Sequence, residues 1–251
     1  MGMRGLAGKT AIVTGAVGGL GAATVKRLVE EGCNVAAADL RAQALAELAA
    51  PFKAKVLKVP TDVTQPAECE RMVERAASHF GAVNLLVNNA AIINKHYPIA
   101  EMPVEEFDRV HAVNVRGVFL VLRATLRQMI AQGKGGSIVN ISSVGALRAN
   151  RGTSPYGSAK RAVLGLSGTA ALENGQYGIR VNSVCPGPID TPMLRPAMNN
   201  PAGDLTNLFK HLPIPRAAQP AEIAAFIAYL LSDDASYCTG GIYPVDGGLS
   251  I

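Results

Sequence analysis

Short apolar runs alternate with longer helical stretches from one end of the chain to the other, and no other feature restricts its fold as much. The runs are Thr10–Thr14, Asn34–Ala38, Lys55–Val59, Asn84–Val87, Ser137–Ile141, Ile179–Val184 and Gly241–Val245. Several are almost continuously apolar, as strands covered on both faces must be. Helical patterns fill roughly 19–31, 41–50, 66–80, 104–131, 155–174 and 220–231 between them. Strand and helix in strict alternation predict an α/β fold. The expected form is a doubly wound, mostly parallel sheet of about seven strands with helices on both faces. No linker or repeat divides residues 1–251, so a single domain is expected. The exception is 186–218, which holds seven prolines and little strand character. A long irregular stretch in a compact domain is usually functional. It is read as a flap over a substrate, with a short helix near 204–212.

Composition removes several classes of function. Apolar residues make up 49% and charged residues 17% of the 251, which excludes a disordered chain. Apolar runs are broken by Gly, Pro or charge before they could span a membrane, and the first residues lack an apolar signal core. A cytoplasmic protein is expected. Cys33, Cys69, Cys185 and Cys238 are scattered and read as reduced thiols. The four histidines stand far apart, so no metal site is expected. The net charge of +5 comes from dispersed Lys and Arg, which argues against a nucleic-acid surface.

Two constellations carry chemistry. Tyr156 and Lys160 are four apart in Tyr-Gly-Ser-Ala-Lys, with Ser143 thirteen residues before the tyrosine. Ser154 can cap a helix there and Pro155 suits its first turn, which puts phenol and ammonium on one helical face. A cation beside a phenol favours the phenolate, so the Tyr156 pKa is expected to fall below its usual ~10 and suit proton exchange with an alcohol or carbonyl. The second constellation follows the first strand. In Thr14-Gly15-Ala-Val-Gly18-Gly19-Leu20-Gly21, glycines at 15, 19 and 21 let the backbone approach a pyrophosphate at a helix start, although the spacing is not GxGxxG. Asp39 stands eighteen residues past Gly21, at a strand end beside Leu40. Its carboxylate can bind the adenosine ribose hydroxyls and would repel a 2′-phosphate, which predicts NAD over NADP despite the nearby Arg41. Asp62-Val63 follows the third strand and could flank the adenine, or Asp62 could cap a helix.

These residues, in this order, resemble the classical short-chain dehydrogenase/reductase family almost end to end. Thr14-Gly-xxx-Gly-x-Gly21 looks like its cofactor turn, and Asn88-Asn89-Ala90-Ala91 like its Asn-Asn-Ala-Gly stretch. Asn114, Ser143, Tyr156 and Lys160 match its four catalytic positions. Pro186-Gly187-Pro-Ile189-Asp-Thr191 looks like its nicotinamide loop, and Val245-Asp-Gly-Gly248 like its C-terminal signature. The chain departs from the pattern at Ala91, at Glu173-Asn-Gly-Gln-Tyr-Gly178 and at Pro215-Arg-Ala-Ala-Gln-Pro220.

The resemblance implies a Rossmann-type fold and hydride transfer between NAD(H) and a secondary alcohol or ketone. It implies Tyr156 as acid and base, and Lys160 lowering its pKa and binding the nicotinamide ribose. Ser143 is chosen over Ser142 to hold the substrate oxygen, Asn114 would fix a relay water, and Ile189 and Thr191 would hold the carboxamide. The alternatives are an NADPH-dependent ketone or 3-oxoacyl reductase, or a non-catalytic NAD(H)-binding regulator. Asn94, Lys95, His96, Arg148, Asn150 and Arg151 would stand near the mouth, with Met193, Leu194 and Met198 as an apolar cover. Asn182 is read as structural. Small residues along Tyr156–Leu172, together with the family's habit, imply a homotetramer.

Overall fold

A computed structural model describes residues 2–195, 209–210 and 212–251. Seven strands make one parallel sheet: β1 (Thr10–Thr14), β2 (Asn34–Asp39), β3 (Val56–Pro60), β4 (Leu85–Asn88), β5 (Gly136–Ile141), β6 (Ile179–Pro186) and β7 (Ile242–Val245). Their spatial order is β3-β2-β1-β4-β5-β6-β7. The predicted Rossmann-type doubly wound sheet is therefore present. Among the described residues the α-helices of a full turn or more are α1 (Gly19–Glu30), α2 (Ala42–Ala49), α3 (Pro66–Phe80), α4 (Val104–His111), α5 (Val118–Gln132), α6 (Ser154–Asn174) and α7 (Pro220–Leu231).

Strand alternation divides the apolar side chains between two cores. Ala11 and Val13 of β1 face one side, where Leu28 of α1, Leu45 of α2 and Ile223 and Ile227 of α7 cover them. Ile12 faces the other, against Met72 of α3, Met129 of α5 and Ala170 of α6. Each fully buried Leu, Ile, Val or Met contributes roughly 1.5–3 kcal/mol, so burial on both faces holds strands only four to eight residues long. Helix ends follow local rules. Gly81 and Gly133 close α3 and α5 in the left-handed region, at φ 84° and 63°. A capping box between Gln219 and Glu222 opens α7, with Pro220 in its first turn.

The chain runs outward from β1 to β3, then returns to place β4 on the other flank of β1. In such sheets a crevice opens at the carboxyl ends of the strands where the direction reverses. Thr14 and Asn88 end β1 and β4 at that point.

Two expectations change. The helical pattern over 104–131 is not one regular helix: α4 and α5 are joined by a π-helical turn, Ala112–Gly117. Ser154 is the first residue of α6 rather than its cap, and its hydroxyl has no hydrogen-bond partner among the described residues, while Pro155 does occupy the first turn. Within 186–218, Ile189 bridges Ala218, and Arg195 pairs with Asp190 at 2.9 Å. Met198 and most of the short helix expected near 204–212 lie outside the described residues. Among the described residues no helix is long and apolar enough to cross a membrane.

Candidate active site

The glycine turn is held by the end of the neighbouring strand. Thr14 Oγ1 accepts from the N–H groups of Asn89 and Ala90, both at 3.0 Å. Asn89 Nδ2 donates to the carbonyls of Thr14 at 2.9 Å and Gly15 at 3.1 Å. Gly15 turns with φ 62°, and a Cβ there would stand 2.8 Å from the Ala90 Cα. At Gly21 a Cβ would collide with the Gly15 carbonyl. Both positions therefore need glycine, the first for its backbone angle and the second for space. The first bond of α1 runs from Ala22 N–H to the Gly18 carbonyl, and no side chain caps the helix. The N–H groups of Gly19, Leu20 and Gly21 are thus left without intrahelical partners at the positive end of α1. Thr191 packs over Gly19, where a Cβ would meet its Cγ2 at 2.6 Å, so the loop of Pro186, Gly187 and Ile189 closes onto the turn.

The Asp39 carboxylate is largely withdrawn from water at the end of β2. It accepts from Val17 N–H at 3.3 Å, and from the backbone and Nε of Arg41 at 3.1 and 3.2 Å. Leu40 beside it is exposed. Asp62 accepts from the backbone and hydroxyl of Thr64 at 2.9 and 2.8 Å in a local turn, and does not take the capping role the alternative gave it, since Gln65 is the residue before α3. Val63 packs against Gly117 of the π-helical turn.

The catalytic corner draws on four separate segments. Asn114, fully buried in the π-helical turn, donates from Nδ2 to the Ile92 carbonyl at 2.8 Å and accepts at Oδ1 from Ile92 N–H at 2.9 Å. A π turn inserts an extra residue and reaims its side chains, a device common at functional sites. These two hydrogen bonds tie Asn114 to the segment after Ala91. Ser143 follows β5; its Oγ accepts from Gly145 N–H at 3.0 Å, and both it and the Tyr156 ring border Gly145, close enough for the hydroxyl to lower the phenol's pKa. Tyr156 and Lys160 share a face of α6, with Lys160 Nζ 5.8 Å from the phenol ring centroid. Lys160 is only 2% exposed and donates to the Ile141 carbonyl at 2.8 Å.

Burial sets the electrostatics of this corner. It pushes the Lys160 pKa down to about 8. It pushes the Tyr156 phenol up, against a smaller lowering by the Ser143 hydroxyl. The expected lowering of Tyr156 by Lys160 is thus absent from the free chain. Lys160 loses its proton before the phenol does, so no cation remains when the phenolate would form.

All four expected catalytic residues stand at the carboxyl edge of the sheet, as does the glycine turn. Thr14, Ile92 and Ser142 were not assigned roles from sequence. A hydroxyl at the last strand position before a glycine turn was the available signal for Thr14. Ile92 acts through its backbone, which leaves no signal. Of the mouth residues, Asn94 is buried and donates to the carbonyls of Lys95 and Gly152 at 2.7 and 2.8 Å, so it binds two rim loops together. Arg148 donates to the Leu249 carbonyl at 3.0 Å. Lys95, His96, Asn150, Arg151 and Met193 are exposed. Asn182 joins Cys238 and Gly241, the structural role expected of it.

Comparison with known proteins agrees with this architecture. A family profile described as enoyl-(acyl carrier protein) reductase matches residues 15–250. The chain is 40% identical over 248 residues to 2,5-dichloro-2,5-cyclohexadiene-1,4-diol dehydrogenase of Sphingobium indicum, covering 99% of each. It is 38% identical to levodione reductase of Leifsonia aquatica, covering 96% of this chain and 94% of that one. Among solved structures, levodione reductase superposes with a TM-score of 0.93 at 38% identity, covering 97% of this chain and 98% of the other. NAD⁺-bound xylitol dehydrogenase superposes with a TM-score of 0.92 at 33% identity, covering 98% and 100%. The chain belongs to the short-chain dehydrogenase/reductase family. It is an oxidoreductase of a family that uses a nicotinamide cofactor, and its relatives act on alcohols and ketones.

Proposed function

We propose that the chain transfers a hydride between NAD(H) and a secondary alcohol or ketone, with Tyr156 as general acid and base. The observation that carries this reading is Tyr156 set between Ser143 and the buried Lys160, whose Nζ is 5.8 Å from the phenol ring centroid, at the same sheet edge as the glycine turn. The residues present fit a dinucleotide. Gly15 and Gly21 leave a cradle that a Cβ would fill, and the uncapped start of α1 offers N–H donors to a diphosphate. Asp39, with its side chain at the end of β2, would take the ribose hydroxyls and disfavour a 2′-phosphate. Asn89, Ala90, Ile189 and Thr191 would complete the binding surface toward the nicotinamide. When bound, the nicotinamide supplies the hydride acceptor or donor.

The chain's own residues manage the proton and the oxygen. Tyr156, protonated in the free chain because burial raises its pKa, gives its proton to the carbonyl oxygen in reduction and recovers it from the alcohol in oxidation. Such transfer contributes roughly 10²–10⁴-fold. Ser143 donates to the same oxygen as charge develops there. Lys160 exchanges protons near pH 8, which suits a relay to the phenol, and Asn114 holds the backbone at Ile92 from which that relay leads to water. Relatives acting on a cyclohexadiene diol and on levodione favour a ring-bearing secondary alcohol or ketone as substrate.

Exposed apolar residues on α4 and α5 (Phe107, Phe119) and near β7 (Tyr237, Ile242) support a homotetramer, which light scattering on the purified chain would test. The function is tested with a panel of levodione, cyclohexane-1,2-diol, a 3-hydroxysteroid and xylitol, following NADH absorbance. Turnover that prefers NADH to NADPH is expected. No turnover with either cofactor, in a chain that still binds NADH, would favour the non-catalytic regulator instead.

A further inference from the structure

We infer that Ser142 is a positioning residue: its hydroxyl fixes the turn of α6 that carries Tyr156 and Lys160 against the strand end that carries Ser143. The inference rests on the function proposed above.

Three consecutive residues at the end of β5 hold three parts of this corner. The Ile141 carbonyl accepts from Lys160 Nζ at 2.8 Å. Ser142 Oγ donates to the Lys160 carbonyl at 2.7 Å. Ser143 Oγ and the Tyr156 ring both border Gly145. Lys160 is thus clamped at both its side-chain and its backbone end by neighbours in sequence. Ser142 is itself anchored. It is 2% exposed, and its N–H donates to the Val184 carbonyl at 2.8 Å.

The bond is not needed to make the helix. Lys160 lies in the interior of α6, where a carbonyl already has an intrahelical partner and uses its second lone pair for Ser142. Pinning that carbonyl fixes the rotation and the axial position of the helix. Tyr156 lies one turn earlier on the same face, so its reach to Ser143 is set by the same bond. The single hydroxyl proton of Ser142 is committed to this carbonyl, which leaves Ser143 alone of the pair to face a substrate oxygen.

Ser142→Ala and Ser142→Thr are compared with the wild type and Tyr156→Phe. The readouts are steady-state kinetics with whichever panel compound the wild type turns over fastest, NADH binding by fluorescence, the pH profile of kcat, and thermal melting. Ser142→Ala is expected to lower kcat about ten- to a hundredfold through misplaced reacting groups, while NADH affinity changes by less than about twofold. Its Lys160-dependent limb should move to higher pH, because a loosened ammonium regains water. Ser142→Thr, which keeps the hydroxyl, should restore most of kcat. If Ser142→Ala does not fold, Ser142→Cys, close in shape but a weak donor, carries the same comparison. An unchanged kcat and pH profile in the donor-poor variant would overturn the inference. So would equal losses of turnover and NADH binding that Ser142→Thr does not repair, since that marks a scaffold role only. Turnover surviving in Tyr156→Phe would instead overturn the mechanism beneath it, whatever Ser142 does.

Discussion

Between Gly15 and Asp39 the site is built mainly of backbone, whereas around Lys160 it is built of side chains withdrawn from water. The first region offers N–H groups at a helix start and two glycines that keep space clear, with Asp39 as its one charged contribution. The second buries an ammonium with no carboxylate on it among the described residues, an asparagine bonded twice to one backbone residue, and a hydroxyl bonded to a helix carbonyl. A backbone site is sensitive to added volume. A site of buried polar side chains is sensitive to lost partners, and its stability depends on pH.

The sharpest break between the two regions is Tyr156→Phe. It removes the exchangeable proton and nothing the cofactor turn needs, so turnover should fall roughly 10²–10⁴-fold, with NADH binding by fluorescence near the wild-type value. Loss of both together would mean that the regions are not separable. Next in size is Gly21→Ala, whose methyl enters the Gly15 carbonyl. NADH affinity should drop tenfold or more, with about 1–3 kcal/mol of stability lost to overpacking. Gly18→Ala meets the same carbonyl at 3.3 Å and should be much milder. Calorimetric binding that ranks the two variants equally would contradict a turn limited by space.

Lys160→Met tests the opposite region in the opposite direction. The folded chain holds Lys160 near pH 8 against 10.5 for an ordinary lysine, so the unfolded state binds more protons between these values. Stability from this group therefore rises with pH across that window and is at its worst below pH 8. Replacement by Met should inactivate the chain yet stabilise it by about 1–3 kcal/mol at pH 7. Urea unfolding at pH 7 and pH 10 should show the gain shrinking at the higher pH. A gain that grows with pH would reverse the assignment. Asp39→Ala should have the smallest effect, lowering the preference for NADH over NADPH about tenfold while freeing Arg41 from its 3.2 Å pairing. Unaltered preference would remove Asp39 from cofactor selection.

The strands and the glycine turn were legible because they depend on neighbours in sequence: a continuous apolar run at Ala11, Ile12 and Val13, and glycines at fixed spacing before a helix. Tyr156 and Lys160 were legible because a helix repeats every turn. Other features were not. The pattern over 104–131 shows an apolar face and gives no sign that Ala112–Gly117 is wound as a π turn, since the bonds that hold Asn114 come from Ile92 on another segment. The fall expected for Tyr156 reversed for a similar reason. Spacing places an ammonium near a phenol but says nothing about how much water surrounds either.

The chain's own pattern determined a parallel α/β sheet, the location of the glycine cradle, and a tyrosine and lysine on one helical face. Tertiary structure alone decided that Ser142 faces a helix carbonyl while Ser143 faces the phenol, that Asn114 grips Ile92, and that Lys160 lies dry. The physical reason is range. Periodicity and turn chemistry act over a few residues, whereas burial and hydrogen-bond partners come from segments brought together only when the sheet closes, as Val184 is brought to Ser142.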